Sequence, residues 1–243
     1  MQTTTSDWNG YRRLDFTVDG RESYVVCPEH PAAGNPWVWR TEFFGAFDTV
    51  DRALLARGWH LAYHSMSELY GNDTAMEYME AFWHAAHDEL GLSARPVLFG
   101  FSRGGSYAVN YAHFYPDHVG ALYLDAPLLD FCAVGDEVVA ELFDRMLECY
   151  GVTAEQMRTF DRMPIAYAAS VAKSGVPVAL CAGLADDVVF YPQNSGAFAE
   201  RFRAAGGRLL LIEKPGVGHH PHSVADPQRV AQIADFLEEA RLK

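Results

Sequence analysis

The chain has 243 residues, of which 19 are basic and 32 are acidic, so its formal net charge is −13. This charge argues against nucleic acid as a partner, because phosphate backbones attract basic surfaces. Hydrophobic residues make up 49% of the chain, which is enough to bury a sizeable core and too much for a disordered protein. The length suits one α/β unit, and we expect residues 1–243 to form a single domain.

The sequence carries no signal for a membrane or for export. No run approaches about 18 consecutive apolar residues, and the first ten residues are polar, without the regions of a secretion signal. We therefore expect a cytoplasmic protein with no membrane partner. The four cysteines, which have no Cys-x-x-Cys spacing, are predicted to be buried, reduced thiols: Cys27, Cys132, Cys149 and Cys181.

The first elements predict a β-hairpin, a further strand and a helix. Residues 14–18 and 23–27 have strand composition and flank Asp19-Gly20, a dipeptide suited to a hairpin turn. Residues 37–39 are typical of a strand, and residues 43–57 carry apolar side chains at helical spacing.

From residue 59 onward, strand and helix patterns alternate. The predicted strands are 59–64, 96–101, 120–124, 177–182 and 208–212, and the predicted helices are 74–90, 105–114, 195–205 and 227–242. This alternation predicts a mostly parallel sheet with helices on both faces. Residues 131–173 interrupt it with two helical segments, 137–150 and 154–170, and predict a helical cap insert.

The sequence Gly-Phe-Ser-Arg-Gly at residues 100–104 joins a predicted strand to a predicted helix. A serine lifted off the end of a strand needs so sharp a turn that the residues two before and two after it must lack bulk. Gly100 and Gly104 meet this requirement. The turn also places Ser102 near the positive end of the helix, with the backbone N–H of Arg103 available to an oxyanion.

A serine nucleophile needs an imidazole that accepts its proton and a carboxylate that orients the imidazole. Asp186 and Asp187 follow the predicted strand 177–182, and Gly-Val-Gly-His-His-Pro-His follows the predicted strand 208–212, at residues 216–222. The carboxyl ends of parallel strands meet at one edge of the sheet, so we expect these loops to lie near Ser102.

Over nearly its whole length, the chain resembles the α/β-hydrolase superfamily: opening hairpin, serine turn, acid loop, histidine loop and closing helix. Within it, the chain is similar to small bacterial hydrolases, labelled as esterases or prolyl-oligopeptidase-like proteins. These carry Pro-Trp-x-Trp-Arg near the start and Gly-His-His-Pro-His near the end, which stand here at residues 36–40 and 218–222. The resemblance implies the α/β-hydrolase fold and a serine hydrolase.

The resemblance also implies the partners of the serine. The family's Gly-x-x-Asp pattern implies Asp186 as the acid, and its Gly-x-Gly-His pattern implies His219 as the base. Two other acids stay open: Asp187, and Asp125 at the end of the predicted strand 120–124.

Three histidines within four residues also fit a metal site, and two more stand at i, i+3 in a predicted helix, as His84 and His87. Neither His-Glu-x-x-His nor a carboxylate pair accompanies them, so we expect no metal and no cofactor. His220 and His222 are expected to orient the loop or to contact the substrate.

The second oxyanion N–H normally comes from the loop after the third strand. This sequence lacks the His-Gly turn of many family members, and we expect the backbone N–H of Arg40 or Thr41 to donate instead. The Arg40 side chain has two candidate roles: an ion pair with Glu42 or Asp125, or binding of a substrate carboxylate or sugar hydroxyl.

The predicted function is hydrolysis of a small-molecule carboxylic ester through an acyl-enzyme on Ser102. An ester is favoured over a peptide because the chain is short and lacks a large accessory domain. The alternatives are a peptidase or amidase, a carbon–carbon bond hydrolase, and a non-catalytic binding module of the same fold. The oligomeric state is left open, a homodimer included.

Methionine and aromatic residues of the insert either line the substrate pocket or pack in the core: Tyr150, Met157, Phe160, Met163 and Tyr167.

Overall fold

The computed structural model describes residues 2–241. The strands are β1 (Thr4–Trp8), β2 (Tyr11–Val18), β3 (Arg21–Val26), β4 (Trp37–Arg40), β5 (His60–His64), β6 (Val97–Phe101), β7 (Ala121–Asp125), β8 (Val178–Gly183) and β9 (Leu209–Lys214). They form one sheet in the order β1-β2-β3-β5-β4-β6-β7-β8-β9. Strands β1 to β3 form an antiparallel meander that joins β5, and all later pairs are parallel.

The α-helices are α1 (Thr49–Ala56), α2 (Asp73–His84), α3 (Gly104–Phe114), α4 (Asp136–Val138), α5 (Asp144–Tyr150), α6 (Ala154–Met157), α7 (Ala168–Lys173), α8 (Ala197–Ala204) and α9 (Pro227–Arg241). Single π-helical turns extend or join them at Ala85–Glu89, Val139–Phe143 and Pro192–Gly196, and 3₁₀ turns lie at Pro116–His118 and Pro164–Tyr167. Among the described residues, no helix has the length and apolar character needed to cross a membrane. The last residue of the predicted helix 227–242 lies outside the described residues.

Helices cover both faces of the sheet. Side chains of α1 and α9 share one apolar core with Val97 and Phe99 of β6, whereas Leu98 joins the larger core formed with α2, α3, α7 and α8. Alternate residues of a strand point to opposite faces, so a strand covered on both sides must be apolar throughout. All five residues of β6 are buried, and the predicted α/β class is confirmed.

The start of the chain differs from the prediction. An edge strand, β1, precedes the expected hairpin; its residues before Trp8 are polar and most of the strand is exposed, so it carries no apolar alternation that predicts a strand. The predicted helix 43–57 begins only at Thr49, since Phe43, Gly45 and Phe47 have φ angles of 53°, 79° and 53°, which a right-handed helix cannot contain. Phe44 packs instead against the meander, with its ring 4.8 Å from that of Tyr24.

The predicted insert, residues 131–173, is helical but broken. The predicted helix 154–170 stops at Met157, and a 3₁₀ turn begins at Pro164. Proline lacks an N–H and clashes with the carbonyl four residues earlier, so no continuous helix can pass through this position undistorted. Met146 and Met157 are fully buried against the core that contains α2 and α3. The organisation as one domain with a cap stays a prediction.

All four cysteines are free thiols. Cys27 and Cys181 are buried as predicted, but Cys149 is half-buried and Cys132 is exposed. The prediction of burial is therefore wrong for Cys132, which lies in the loop between β7 and α4.

Candidate active site

Ser102 occupies the sharp turn between β6 and α3. Its φ of 47° lies in the left-handed region, a strained conformation for a serine, and its backbone N–H donates to the Asp125 carbonyl at 3.0 Å. A Cβ on Gly100 would come within 2.9 Å of the Ala108 Cβ, and a Cβ on Gly104 within 2.9 Å of the Thr41 Oγ1. The steric requirement for glycine at both positions is therefore confirmed.

The structure brings Ser102, His219 and Asp186 together in one row. Ser102 Oγ lies 3.0 Å from His219 Nε2, and His219 Nδ1 lies 2.8 Å from Asp186 Oδ2. The histidine and the carboxylate are buried, whereas the serine is half-buried and can be reached from solvent. In this arrangement the serine hydroxyl can pass its proton to an imidazole whose other nitrogen is held by a carboxylate.

Among the three candidate acids, only Asp186 contacts His219 within the described part of the chain. Its other oxygen, Oδ1, accepts the backbone N–H groups of Val188 at 3.0 Å and Val189 at 2.8 Å, so the carboxylate has a fixed orientation. Asp187 is exposed, and the hydrogen bond of His219 Nδ1 goes to Asp186 instead.

Asp125 holds a different histidine. Its fully buried carboxylate accepts the Nδ1–H of His222 at 2.7 Å and the backbone N–H of Ser223 at 2.9 Å, and Lys214 Nζ lies 3.6 Å away. His222 therefore anchors the histidine loop, one of the two roles expected for it. His220 is exposed, and its ring stacks on Phe47 at a centroid distance of 5.8 Å.

The guanidinium of Arg40 is structural. It is fully buried, donates to the carbonyls of Phe43 at 2.9 Å and Ala46 at 2.8 Å, and lies 4.1 Å from the centroid of Phe101. Its ion-pair partner is Asp51, at 3.5 Å. The expected partners Glu42 and Asp125 are therefore wrong, and the side chain is not open to a substrate.

The predicted oxyanion donors after β4 also need correction. The Thr41 N–H donates to the Phe99 carbonyl at 3.2 Å, so it is not available. Arg40 is the last residue of β4, paired on both sides within the sheet, so its backbone does not reach the serine turn as a free donor. Within residues 2–241, the backbone N–H groups of Arg103, Glu42 and Phe43 have no hydrogen-bond partner, and these are the candidate donors.

Glu42, which the sequence offered only as an ion-pair partner of Arg40, is a buried carboxylate beside the serine turn. Glu42 is 2% exposed, accepts a hydrogen bond from Ser67 Oγ at 3.1 Å and lies 3.4 Å from Arg103 Nε. Burial raises the pKa of Glu42, and the Arg103 guanidinium opposes that rise. No local pattern signals this pair, because Glu42 and Arg103 meet only when β4 and β6 lie side by side.

The part of the chain that carries these loops matches a known protein family. Residues 56–242, well over half of the chain, match the sequence profile of the prolyl oligopeptidase family. The chain belongs to this family. The prolyl oligopeptidase family consists of serine hydrolases, and the matched region contains Ser102, Asp186 and His219. No curated protein is similar enough to the chain to count as a match.

Solved structures show the same fold at low identity. A Mycobacterium tuberculosis puromycin-hydrolyzing peptidase is 18% identical with a TM-score of 0.70, over 95% of this chain and 38% of that one. Porphyromonas gingivalis dipeptidyl peptidase 4 is 14% identical with a TM-score of 0.69, over 98% of this chain and 35% of that one. A truncated carbohydrate esterase from gut microbiota is 16% identical with a TM-score of 0.69, over 91% of both chains. This member of the prolyl oligopeptidase family thus spans somewhat over a third of the length of the first two structures.

The aromatic and methionine residues of the insert serve packing in this family member. Met157 and Met163 are 0% and 7% exposed and belong to the main core. Tyr150 donates its hydroxyl proton to the Tyr70 carbonyl at 2.8 Å, and Tyr167 stacks on a histidine of α3 at a centroid distance of 3.9 Å. Of the two expectations for these residues, core packing is the one observed.

Proposed function

We propose that this protein hydrolyses carboxylic esters of small molecules through an acyl-enzyme on Ser102. The observation that carries the proposal is the row of hydrogen bonds from Ser102 through His219 to Asp186, of 3.0 and 2.8 Å, with the serine accessible from solvent. Such a row activates a hydroxyl that would otherwise be a weak nucleophile.

In the proposed reaction, His219 Nε2 takes the hydroxyl proton of Ser102 as the oxygen attacks the ester carbonyl. Asp186 holds the Nδ1–H and offsets the charge of the imidazolium. The tetrahedral oxyanion is bound by the N–H of Arg103 and by that of Glu42 or Phe43, each worth about 3 kcal/mol. His219 then protonates the departing alcohol, and water attacks the acyl-enzyme with His219 again as the base.

Two observations support an ester. Two apolar side chains border the site: Phe47, 38% exposed, against the histidine loop, and Leu184, 41% exposed, in the acid loop. They offer contact area to a small acyl or alcohol group. The carbohydrate esterase shares the fold over 91% of both chains, which supports the same chemistry by analogy.

A peptidase is the second candidate, because the family profile is that of prolyl oligopeptidases and two similar structures are peptidases. The same three side chains would then attack an amide, and His219 would protonate an amine. The two candidates differ in the leaving group that the enzyme accepts.

The test compares matched substrates that share one acyl group. We expect p-nitrophenyl acetate to be turned over and acetyl p-nitroanilide, together with aminoacyl p-nitroanilides, to be hydrolysed poorly or not at all. Ser102→Ala should lower kcat for the ester by roughly 10⁴- to 10⁶-fold with the fold intact by circular dichroism. A fluorophosphonate probe should add one adduct, mapped by mass spectrometry to Ser102.

Efficient anilide hydrolysis would shift the proposal to the peptidase. Labelling at another residue, or full activity in Ser102→Ala, would contradict the assignment of the nucleophile.

A further inference from the structure

The histidine loop places three imidazoles at the edge of the proposed active site. One ring nitrogen from each of His219, His220 and His222 lies within 4.8 Å of those from the other two. The ring centroids are 4.7 to 5.0 Å apart. His219 and His222 are buried and His220 is exposed, so the cluster opens toward solvent on one side.

Carboxylates behind the cluster orient two of the three rings. Asp186 accepts the Nδ1–H of His219 at 2.8 Å, and Asp125 accepts that of His222 at 2.7 Å. Both rings therefore carry their free lone pair on Nε2. Histidines that bind metals usually donate their other N–H to a carboxylate in this way, which fixes the tautomer and strengthens the ligand.

The two carboxylates also supply negative charge beside the cluster. The Asp186–His219 pair was expected from the sequence, whereas the pairing of Asp125 with His222, 97 residues apart in the chain, was not. Zn²⁺ binds imidazole nitrogens at about 2.0–2.1 Å, so three ligands of a tetrahedron lie roughly 3.4 Å apart. The ring nitrogens lie within 4.8 Å of one another here, so binding one ion requires them to approach by on the order of 1 Å. His220 is the exposed member of the three.

We propose that His219, His220 and His222 bind one Zn²⁺ ion, and that the ion inhibits the hydrolase by occupying the Nε2 lone pair of His219. The inhibition rests on the proposed function, in which that lone pair accepts the serine proton. The ion is an inhibitor and takes no part in the reaction. Three imidazoles with a fourth position open to water form a donor set suited to Zn²⁺.

The binding test is independent of turnover. It uses tag-free Ser102→Ala protein, calorimetric titration with ZnCl₂, and the visible absorption of Co²⁺ as a spectroscopic substitute. We expect one ion per chain and a Co²⁺ spectrum typical of tetrahedral coordination. His220→Asn in the same background should raise the Kd at least tenfold, and His220→Gln serves as a second variant should the first fold poorly. His84→Asn is the control, since His84 is an exposed histidine paired with Asp88 in another part of the fold.

The inhibition test uses the protein with Ser102 intact. Zn²⁺ should inhibit ester hydrolysis reversibly, with recovery on EDTA addition, and His220→Asn should raise the inhibition constant at least tenfold while His84→Asn leaves it unchanged. Zn²⁺ affinity that is unaffected by His220→Asn, or binding without inhibition, would overturn the proposal. Absence of ester hydrolysis would contradict the proposed function alone, because the titration in Ser102→Ala still reports on the metal site.

Discussion

Asp186 and Asp125 are buried carboxylates that bind two histidines of the same loop, but their positions give them different roles. Asp186 contacts the imidazole that faces Ser102, and Asp125 contacts His222 and the backbone of Ser223. The first orients the proposed base, and the second fastens the loop that carries it. Removing either charge should therefore change different measurements.

We expect Asp186→Asn to lower kcat by roughly 10³- to 10⁴-fold, because an amide cannot hold the required tautomer of His219. Asp125→Asn should retain most of kcat and lower the free energy of unfolding by about 1–3 kcal/mol, since the hydrogen bonds of a buried acceptor are weakened. Ester kinetics and urea denaturation measure the two effects. A folded but inactive Asp125→Asn together with an active Asp186→Asn would assign the acid to Asp125.

Arg40 allows a second test at the scale of a residue, which concerns the free energy of unfolding. Its guanidinium is fully buried, so Arg40→Met leaves Asp51, whose pKa burial already raises, without a cation. We expect a loss of about 3–5 kcal/mol in the free energy of unfolding. The matched control is Arg52→Met, which removes an exposed pair with Asp48 and should cost less than about 1 kcal/mol. Equal losses of unfolding free energy in urea denaturation would show that burial does not increase the contribution of the Arg40–Asp51 pair to stability.

At the scale of elements, the position of the proposed nucleophile depends on how closely α3 approaches the strands. A Cβ on Gly100 would meet the Gly105 Cα at 2.9 Å, and a Cβ on Gly105 would meet the Pro127 Cβ at 2.3 Å. The helix therefore sits against the end of β6 and the segment after β7 with no room for a methyl group. This contact fixes where Ser102 lies relative to the histidine loop.

We expect Gly100→Ala to lower the free energy of unfolding by about 1–3 kcal/mol and to reduce kcat, because overpacking displaces the turn that carries Ser102. Gly218→Ala is the control: it adds a methyl group next to His219, but the nearest contact, the Ala185 carbonyl oxygen, is 3.7 Å away. It should change stability by less than about 1 kcal/mol. Thermal and urea unfolding of both variants check this, and comparable losses would contradict the steric explanation.

At the scale of the whole molecule, the junction between the antiparallel meander and the parallel strands contains a buried neutral histidine. His64 of β5 is 0% exposed, its Nδ1 lies 2.8 Å from Ser23 Oγ of β3, and its ring stacks on Phe82 of α2 at 5.1 Å. Burial, with a smaller effect from Arg21, lowers the pKa of His64 from 6.5 to about 4.

This histidine makes global stability depend on pH. Between pH 6.5 and about 4 the unfolded chain binds a proton at this histidine that the folded chain does not. The contribution of His64 to the free energy of unfolding is therefore complete above pH 6.5 and is lost as the pH falls toward 4. The loss from this one group reaches about 3 kcal/mol near pH 4. Urea denaturation at several pH values should show a smaller slope for His64→Gln than for the unmodified chain, because the other titrating groups are common to both. An unchanged slope would show that His64 is not the group responsible.

The sequence by itself determined the features that depend on neighbours along the chain. The two glycines around Ser102, the alternation of strands and helices and the order of the serine, acid and histidine loops each follow from local sterics or periodicity. These features predicted the fold class and which loops meet. Local pattern failed where a long-range contact overrides it, as at Phe43, whose φ of 53° ends any helix although its apolar spacing favours one.

Only the tertiary structure decided which partners these side chains take. Asp186 rather than Asp125 faces His219, Arg40 pairs with Asp51 rather than with Glu42, and the Thr41 N–H is used within the sheet. In each case several groups of the right chemistry lie within reach along the sequence. Which of these groups become partners depends on their distance and burial in the assembled sheet. Hydrogen bonds and ion pairs act only over a few ångströms, and the number of residues between two groups does not determine such a distance.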